Sequence, residues 1–164
     1  MAKPKKYQKK PFESTGAASD TSANIYESML LSAAWMDLSA NQKALYLTCK
    51  AQYYAEKSKP LGDDTCFTMA PPKWADKYGL YSKNNGASFY RDIAELIEHG
   101  FIRCRQGGKA SRTKTIYQFS DKWRMYGTPE FSIDMNERTE GMRDRIRKEI
   151  EKQEKSVSTV GNPQ

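Results

Sequence analysis

The residue types best suited to binding chemistry lie together in the stretch "SKNNGASFYRD". It holds Lys83, Asn84, Asn85, Ser88 and Arg91 within nine positions. An asparagine amide can make a two-point contact with adenine in the major groove, and arginine or lysine can do the same with guanine. These side chains therefore favour recognition of a nucleic acid, although a polar helix face is also common on surfaces that only meet solvent.

A second polar and basic group follows in "QGGKASRTK", where Lys109, Ser111, Arg112 and Lys114 surround a glycine turn. The whole chain of 164 residues has a formal net charge of +7 and a pI near 9.2. Such a charge attracts polyanions, with nucleic acid the first expectation and an anionic membrane surface the second.

Catalytic and metal-binding patterns are not visible in the sequence. A nucleophile or general base needs a positioned partner, and neither a triad nor a carboxylate pair is visible. The glycine stretches lack the spacing of a nucleotide-binding loop, and Asp63 and Asp64 are typical solvated turn residues. We expect no enzymatic activity, no metal and no cofactor.

The cysteines predict a reducing compartment. They are odd in number, far apart and form no CxxC pair, and His99 is the only histidine, so a zinc site is not expected. No run of about 18 apolar residues and no signal-peptide core is present. We therefore expect a cytoplasmic protein that does not span a membrane, with three free thiols: Cys49, Cys66 and Cys104.

The stretch with the candidate contacts should form an amphipathic helix over about residues 83–99. Phe89, Ile93, Leu96 and Ile97 recur every three or four residues, and Gly100 permits the left-handed backbone that ends a helix. The lysine and the amides lie at the helix N-terminus, where the helix dipole favours phosphate. His99, in the last turn, suits the negative end of the dipole and needs no catalytic role.

The preceding elements should support that helix. Apolar residues at helical spacing predict one short helix before residue 39: Met29, Leu30, Ala33, Ala34 and Leu38. Ser39 and Gln42 have capping-box spacing and predict the start of a central helix that continues to about Lys57. "TCFTM" predicts a strand, and "PPKWADKYGL" predicts a helix ending at Gly79.

Two alternating runs after Gly100, "FIRCR" and "TIYQF", predict a hairpin with a basic tip. Trp123, Tyr126 and Phe131 should pack back on the domain. The expected order is helix, helix, strand, helix, turn, helix, strand, basic turn and strand.

The domain organisation follows from composition. Residues 1–23 read as a disordered basic arm and 156–164 as a disordered tail, with a domain over 24–133 and an amphipathic helix over 134–155 that Asp134 and Glu137 cap. Met142, Ile146 and Ile150 form a narrow apolar stripe on that helix. It could dock on its own domain, form a homodimer contact or place a basic face along DNA, in that order of expectation.

Over residues 25–119 the pattern "ASFYRDIAELIEHGFIRC", followed by the basic hairpin, resembles a winged helix-turn-helix domain. The resemblance implies an α+β, mainly α, fold with a short three-stranded antiparallel sheet. It places the second helix of the pair in the major groove and the hairpin, or wing (106–114), against the DNA backbone.

The resemblance assigns roles to the candidate residues. The expected base contacts are Asn84, Asn85, Ser88 and Arg91. The expected backbone contacts are Lys73, Lys83, Lys109, Ser111, Arg112 and Lys114, with Tyr90 able to serve either side.

"SMLLSAAWMDLSANQKALYLTCKAQYY" is similar to the leading segment of winged-helix proteins of plasmids, phages and integrative elements. The similarity suggests the double-stranded DNA-binding module of a replication initiator or replisome organiser on a bacterial mobile element. A transcriptional regulator of such an element and a winged-helix protein-interaction module remain alternatives.

Overall fold

The computed structural model describes residues 23–52, 58–71, 77–82, 86–108 and 113–160. Its helices are α1 (Glu27–Leu30), α2 (Ala33–Asp37), α3 (Ala40–Lys50), α4 (Gly86–Glu98) and α5 (Glu140–Val160), and its strands are β1 (Cys66–Thr68), β2 (Ile102–Gln106) and β3 (Ile116–Phe119). Residues 71, 77 and 78 are also helical. The predicted α+β class, mainly helical with a three-stranded antiparallel sheet and a C-terminal helix, is confirmed.

The sheet has the order β1-β3-β2, with both neighbours antiparallel to β3. Phe67 stacks on Phe119 with ring centroids 4.5 Å apart, and Tyr117 is buried beside them. A register shift between Cys104 and Gln106 interrupts the β2–β3 pairing just before the wing. Such bulges bend and twist a strand, which here changes the direction in which the hairpin leaves the sheet.

The prediction of a single helix before residue 39 is wrong, because the chain forms two short helices there, α1 and α2. Ser32 lies between them, and its hydroxyl accepts a 3.2 Å hydrogen bond from the backbone N–H of Trp35, which starts α2. Leu30 is exposed, whereas Trp35 is buried. The apolar spacing alone could not show this break.

Helix α3 begins with the predicted capping box, in which Gln42 N and Ser39 N bond each other's side chains. It ends at Lys50, short of the expected Lys57, and the last residues of the prediction, 53–57, lie outside the described part. Tyr46 lies on its buried face, whereas Leu47 is 39% exposed.

The core lies between α3, α4 and the sheet. The predicted apolar face of α4 is confirmed, with Phe89, Ile93, Leu96 and Ile97 all buried. Gly100 has a φ of +76° and ends the helix, because its N–H bonds the carbonyl of Ile97 while the next N–H bonds that of Leu96. A Cβ on Gly100 would also lie 2.7 Å from Trp123 N, so the helix end packs closely on the following segment.

The segment after the sheet is held by ion pairs. Lys122 Nζ lies 2.6 Å from Oε2 of Glu137, a buried residue, and Arg138 makes a bidentate pair with Glu98 at 2.7 and 2.8 Å. Burial alone would raise the pKa of Glu137, but the hydrogen bond from Lys122 holds it below its usual value. Asp134 and Glu137 do form a capping box, yet it opens a 3₁₀ turn, Met135–Glu137, and not the final helix.

Helix α5 begins at Glu140 and continues to Val160, beyond the predicted end at Lys155. Met142 belongs to the hydrophobic core, as the docking interpretation expected, while Ile150 is 49% exposed. Since Met142 is buried in its own domain, it is not free for the predicted dimer contact. Dimerisation through the rest of the stripe stays a prediction.

Candidate nucleic-acid interface

Helix α4 turns one face to the core and the other to solvent. On the solvent face Tyr90 is 56% exposed and Arg91 is exposed. Arg91 Nη2 lies 3.5 Å from Ser88 Oγ, one turn earlier on the same face. Two of the predicted base contacts, Ser88 and Arg91, are thus adjacent, with Tyr90 beside them.

A buried carboxylate fixes the rotation of α4. Asp92 is 5% exposed, and its Oδ2 accepts a 2.7 Å hydrogen bond from Tyr81 Oη. Its Oδ1 lies 3.4 Å from Gln42 Nε2 on α3. Burying a carboxylate is costly unless hydrogen bonds compensate, so these contacts favour one orientation of the helix. Because Asp92 follows Arg91 directly, fixing Asp92 inward directs Arg91 outward.

The base of the wing is narrow. Thr113 N donates a 2.9 Å hydrogen bond to Gly108 O, which closes the hairpin around residues 109–112. A Cβ on Gly108 would lie 2.1 Å from Thr113 O, a distance that no side chain tolerates. Gly108 is therefore required by close approach of the backbone, and it positions the exposed Lys114 just beyond the closing bond.

Helix α4, the wing and α5 line one open groove of about 780 Å³. Its floor is apolar and includes Ile93, Cys104 and Met142, all buried. Burial raises the pKa of the Cys104 thiol, so the floor carries a neutral thiol. Among the residues that the structure describes, the charged ones that line the groove are Arg91, Lys114, Arg145 and Glu140.

Within that described lining, the groove is net positive, with three cations against one carboxylate. Glu140 leans over the base of the wing, where its Oε1 would lie 2.7 Å from a Cβ on Gly107. Tyr90 and Arg91 of α4 and Lys114 of the wing share the groove.

A second, polar cleft lies on the other side of Arg91. It is lined by Arg91 and Ser88 together with Ser82 and the N-terminal residues Ser39 and Asn41 of the α3 region. Arg91 thus separates two clefts and is reachable from both.

Seven of the predicted contacts lie outside the described residues. They are Lys73, Lys83, Asn84, Asn85, Lys109, Ser111 and Arg112. Their roles stay predictions, as does the predicted arm over 1–23, of which the structure describes only residue 23.

Two residues of this surface were not foreseen from the sequence. Arg145 is some 50 positions from α4 along the chain, and only the docking of Met142 brings it to the groove. Asn41 reaches the polar cleft because the capping box at Ser39 directs the first turn of α3 towards α4. Neither carries a local sequence signal beyond its polarity.

His99 takes part in a structural cluster. Its Nδ1 lies 2.8 Å from the carbonyl of Glu95 and its Nε2 lies 3.1 Å from Asp37 Oδ2. Tyr126 stacks on the ring at 4.8 Å and donates a 2.6 Å hydrogen bond to Asp37. Both ring nitrogens therefore have partners within the fold.

The described part of the chain holds no group of three His, Cys, Asp or Glu side chains that could bind a metal ion. Within the same residues, no helix has the length and apolar character needed to cross a bilayer. All three cysteines are free and buried.

Comparison with protein-family models, curated proteins and solved structures finds no match to this chain. The geometry of α4, the wing base and the two clefts is therefore the basis for a functional assignment.

Proposed function

We propose that the protein binds double-stranded DNA as a winged helix-turn-helix module, with α4 as the recognition helix and the β2–β3 hairpin as the wing. The observation that carries this proposal is the shared groove, in which Arg91 from α4 and Lys114 from the wing flank the same opening. Cations from two separate elements on one rim suit a ligand with regularly repeated negative charge.

In the proposed complex, α4 lies in the major groove. A helix is about 10 Å across and fits that groove, which is about 12 Å wide. Arg91 would then approach base edges with Ser88 beside it, and Asn84 and Asn85 would extend the reading face. Lys114 and the undescribed wing residues would bind phosphates, which set the register without reading sequence.

We further propose a cytoplasmic role in replication, or in its control, on a bacterial mobile element. The similarity of "W..LS" and the following "LY" helix to initiator modules supports this role, and Trp35 and Tyr46 of that segment are both core residues here. Regulation of transcription on such an element is the nearest alternative. Sequencing DNA recovered with the protein from cells separates the two, since the bound sites would lie at an origin or at promoters.

Salt titration tests DNA binding itself. The logarithm of the binding constant should fall linearly with the logarithm of salt concentration, with a slope of about −0.9 for each phosphate neutralised. Gel shifts measure this slope for two duplexes, one of random sequence and one that carries a site enriched among the DNA recovered from cells. A protein-interaction module would give weak binding with no preference between the two duplexes.

A further inference from the structure

Most of α5 projects away from the domain. Met142 is buried and Arg145 lines the groove, but residues 147–156 are all exposed. A helix rises about 1.5 Å per residue, so the part beyond Arg145 reaches roughly 20 Å further. Such a length of exposed helix next to a binding groove contributes no core packing.

The exposed part carries a basic stripe that continues from Arg145. At about 100° per residue, Lys152 lies within about 20° of Arg145 around the helix axis, Lys148 within about 60° and Lys155 within about 80°. We call these four residues, spaced i, i+3, i+7 and i+10, the α5 basic stripe.

Acidic residues flank the stripe on both edges, and among those from Asp144 to Glu154 only Glu154 lies on the opposite side of the helix. Asp144, Glu151 and Glu154 are about 100° to 180° from Arg145, and Asp144 lies 3.9 Å from Arg147, which is itself about 160° away. Glu149, about 40° from Arg145, lies beside one edge of the stripe, and Asp144 and Glu151, about 20° and 40° from Lys155, lie beside the other edge. Among the described residues, no ion pair involves Lys148 or Lys152.

We propose that the α5 basic stripe binds the phosphate backbone of the same DNA duplex that α4 reads. From Arg145 to Lys155 the stripe spans about 15 Å, and a duplex presents one phosphate charge per about 1.7 Å of its axis. Because Arg145 lines the same groove as Arg91 and Lys114, the stripe continues along α5 from the cations of that groove. This inference rests on the proposed function.

Other occupants fit the helix less well. An anionic membrane surface needs a broad apolar side, whereas the described side chains of α5 beyond Met142 offer only Ile146 and Ile150. The same two residues are a short seam for a second copy of the chain, and Gln153 follows them at the next core position of a heptad.

Two matched variants of the full chain test the inference. Lys152→Gln removes a stripe charge, and Arg147→Gln removes the same charge from the opposite side of the same helix. Each keeps a good helix former. On random duplex, Lys152→Gln should reduce the magnitude of the salt slope by about 0.9, and the double variant Lys148→Gln/Lys152→Gln by about 1.8. Arg147→Gln should leave the slope of the parent chain unchanged, and none of the variants should alter the preference for an enriched site.

The outcomes separate this inference from the proposal on which it rests. If the parent chain shows no salt-dependent binding to duplex, both are overturned. If the parent chain binds its enriched site and the Lys152→Gln and Arg147→Gln variants keep its salt slope, only the inference about the stripe is overturned. The same conclusion follows if the slopes of both variants fall by the same amount. Loss of binding to phosphatidylserine vesicles on Lys152→Gln, with an unchanged DNA slope, would assign the stripe to a membrane instead.

Discussion

Tyr81 Oη donates a 2.7 Å hydrogen bond to Asp92 Oδ2, and this bond ties the turn before α4 to the middle of the helix. Burial and the neighbouring carboxylate raise the pKa of Tyr81, so the hydroxyl keeps the proton that it donates. Since Arg91 is the residue immediately before Asp92, the Tyr81–Asp92 bond helps to fix the face that α4 turns to solvent.

Removing the Tyr81 hydroxyl should therefore affect stability and binding together. Tyr81→Phe leaves a buried carboxylate with one long hydrogen bond, and we expect a loss of about 2 kcal/mol in the free energy of unfolding. DNA affinity should fall as the helix loses its fixed rotation. Tyr90→Phe is the matched control, and because Tyr90 is exposed its unfolding free energy should change by less than about 0.5 kcal/mol in denaturant titration.

Arg91 should contribute to sequence discrimination. We expect Arg91→Ala to weaken binding to an enriched site by about 1 to 3 kcal/mol and to weaken binding to random duplex much less. Arg124, an exposed arginine that lines a different cleft, is the control and its substitution by alanine should change both affinities little. Equal losses on both duplexes would make Arg91 a phosphate contact.

Gly108 should be required for the wing. A Cβ there would meet Thr113 O and Thr115 N, so Gly108→Ala should open the hairpin base and lower both the melting temperature and the DNA affinity. Gly141→Ala places the same methyl group on α5 where nothing lies within 4 Å, and it should stabilise the protein by up to about 1 kcal/mol. Equal behaviour of the two variants would show that the close approach at Gly108 is not needed.

The Asp37 cluster should make stability depend on acidity. The hydrogen bond from Tyr126, with that from His99, lowers the pKa of Asp37, and the same bond raises the pKa of Tyr126 to about 12. A lowered carboxyl pKa stabilises the fold above the unfolded value and loses that effect as pH falls through the folded value. The difference in melting temperature between the parent and Asp37→Asn should therefore shrink from about pH 5 to about pH 2. A difference that stays constant over this pH range for Asp37→Asn would contradict the assignment.

Local patterns predicted the elements of this fold well. The apolar spacing from Phe89 to Ile97 predicted α4 and its buried face, and Gly100 predicted where the helix ends. Both predictions succeed because each signal depends on residues within one or two helical turns. The capping box at Ser39 was equally reliable. At Asp134 the same signal opened only a 3₁₀ turn, since Glu137 is also held by the distant Lys122.

Features that depend on distant contacts could not be predicted. Asp92 is a charged residue with no local signal of burial, yet it is buried, because Tyr81 and Gln42 supply its partners. Arg145 joined the candidate site only through the docking of Met142. The sequence thus identified Ser88, Arg91 and Lys114 from their types, but not the surface that α5 adds to them.

Cleavage of bound DNA by a chelate attached to the protein is the most direct test of whether α4 and the wing contact the same duplex. An iron chelate on Ser88→Cys or on Lys114→Cys can be attached selectively, because Cys49, Cys66 and Cys104 are buried. Both labelled proteins should cut the same duplex within about one helical turn, 10 base pairs, of each other, whereas a label on Arg124→Cys should give no localised cuts. Cleavage from only one of the two positions, or from neither while the duplex remains bound, would contradict a shared DNA-binding face.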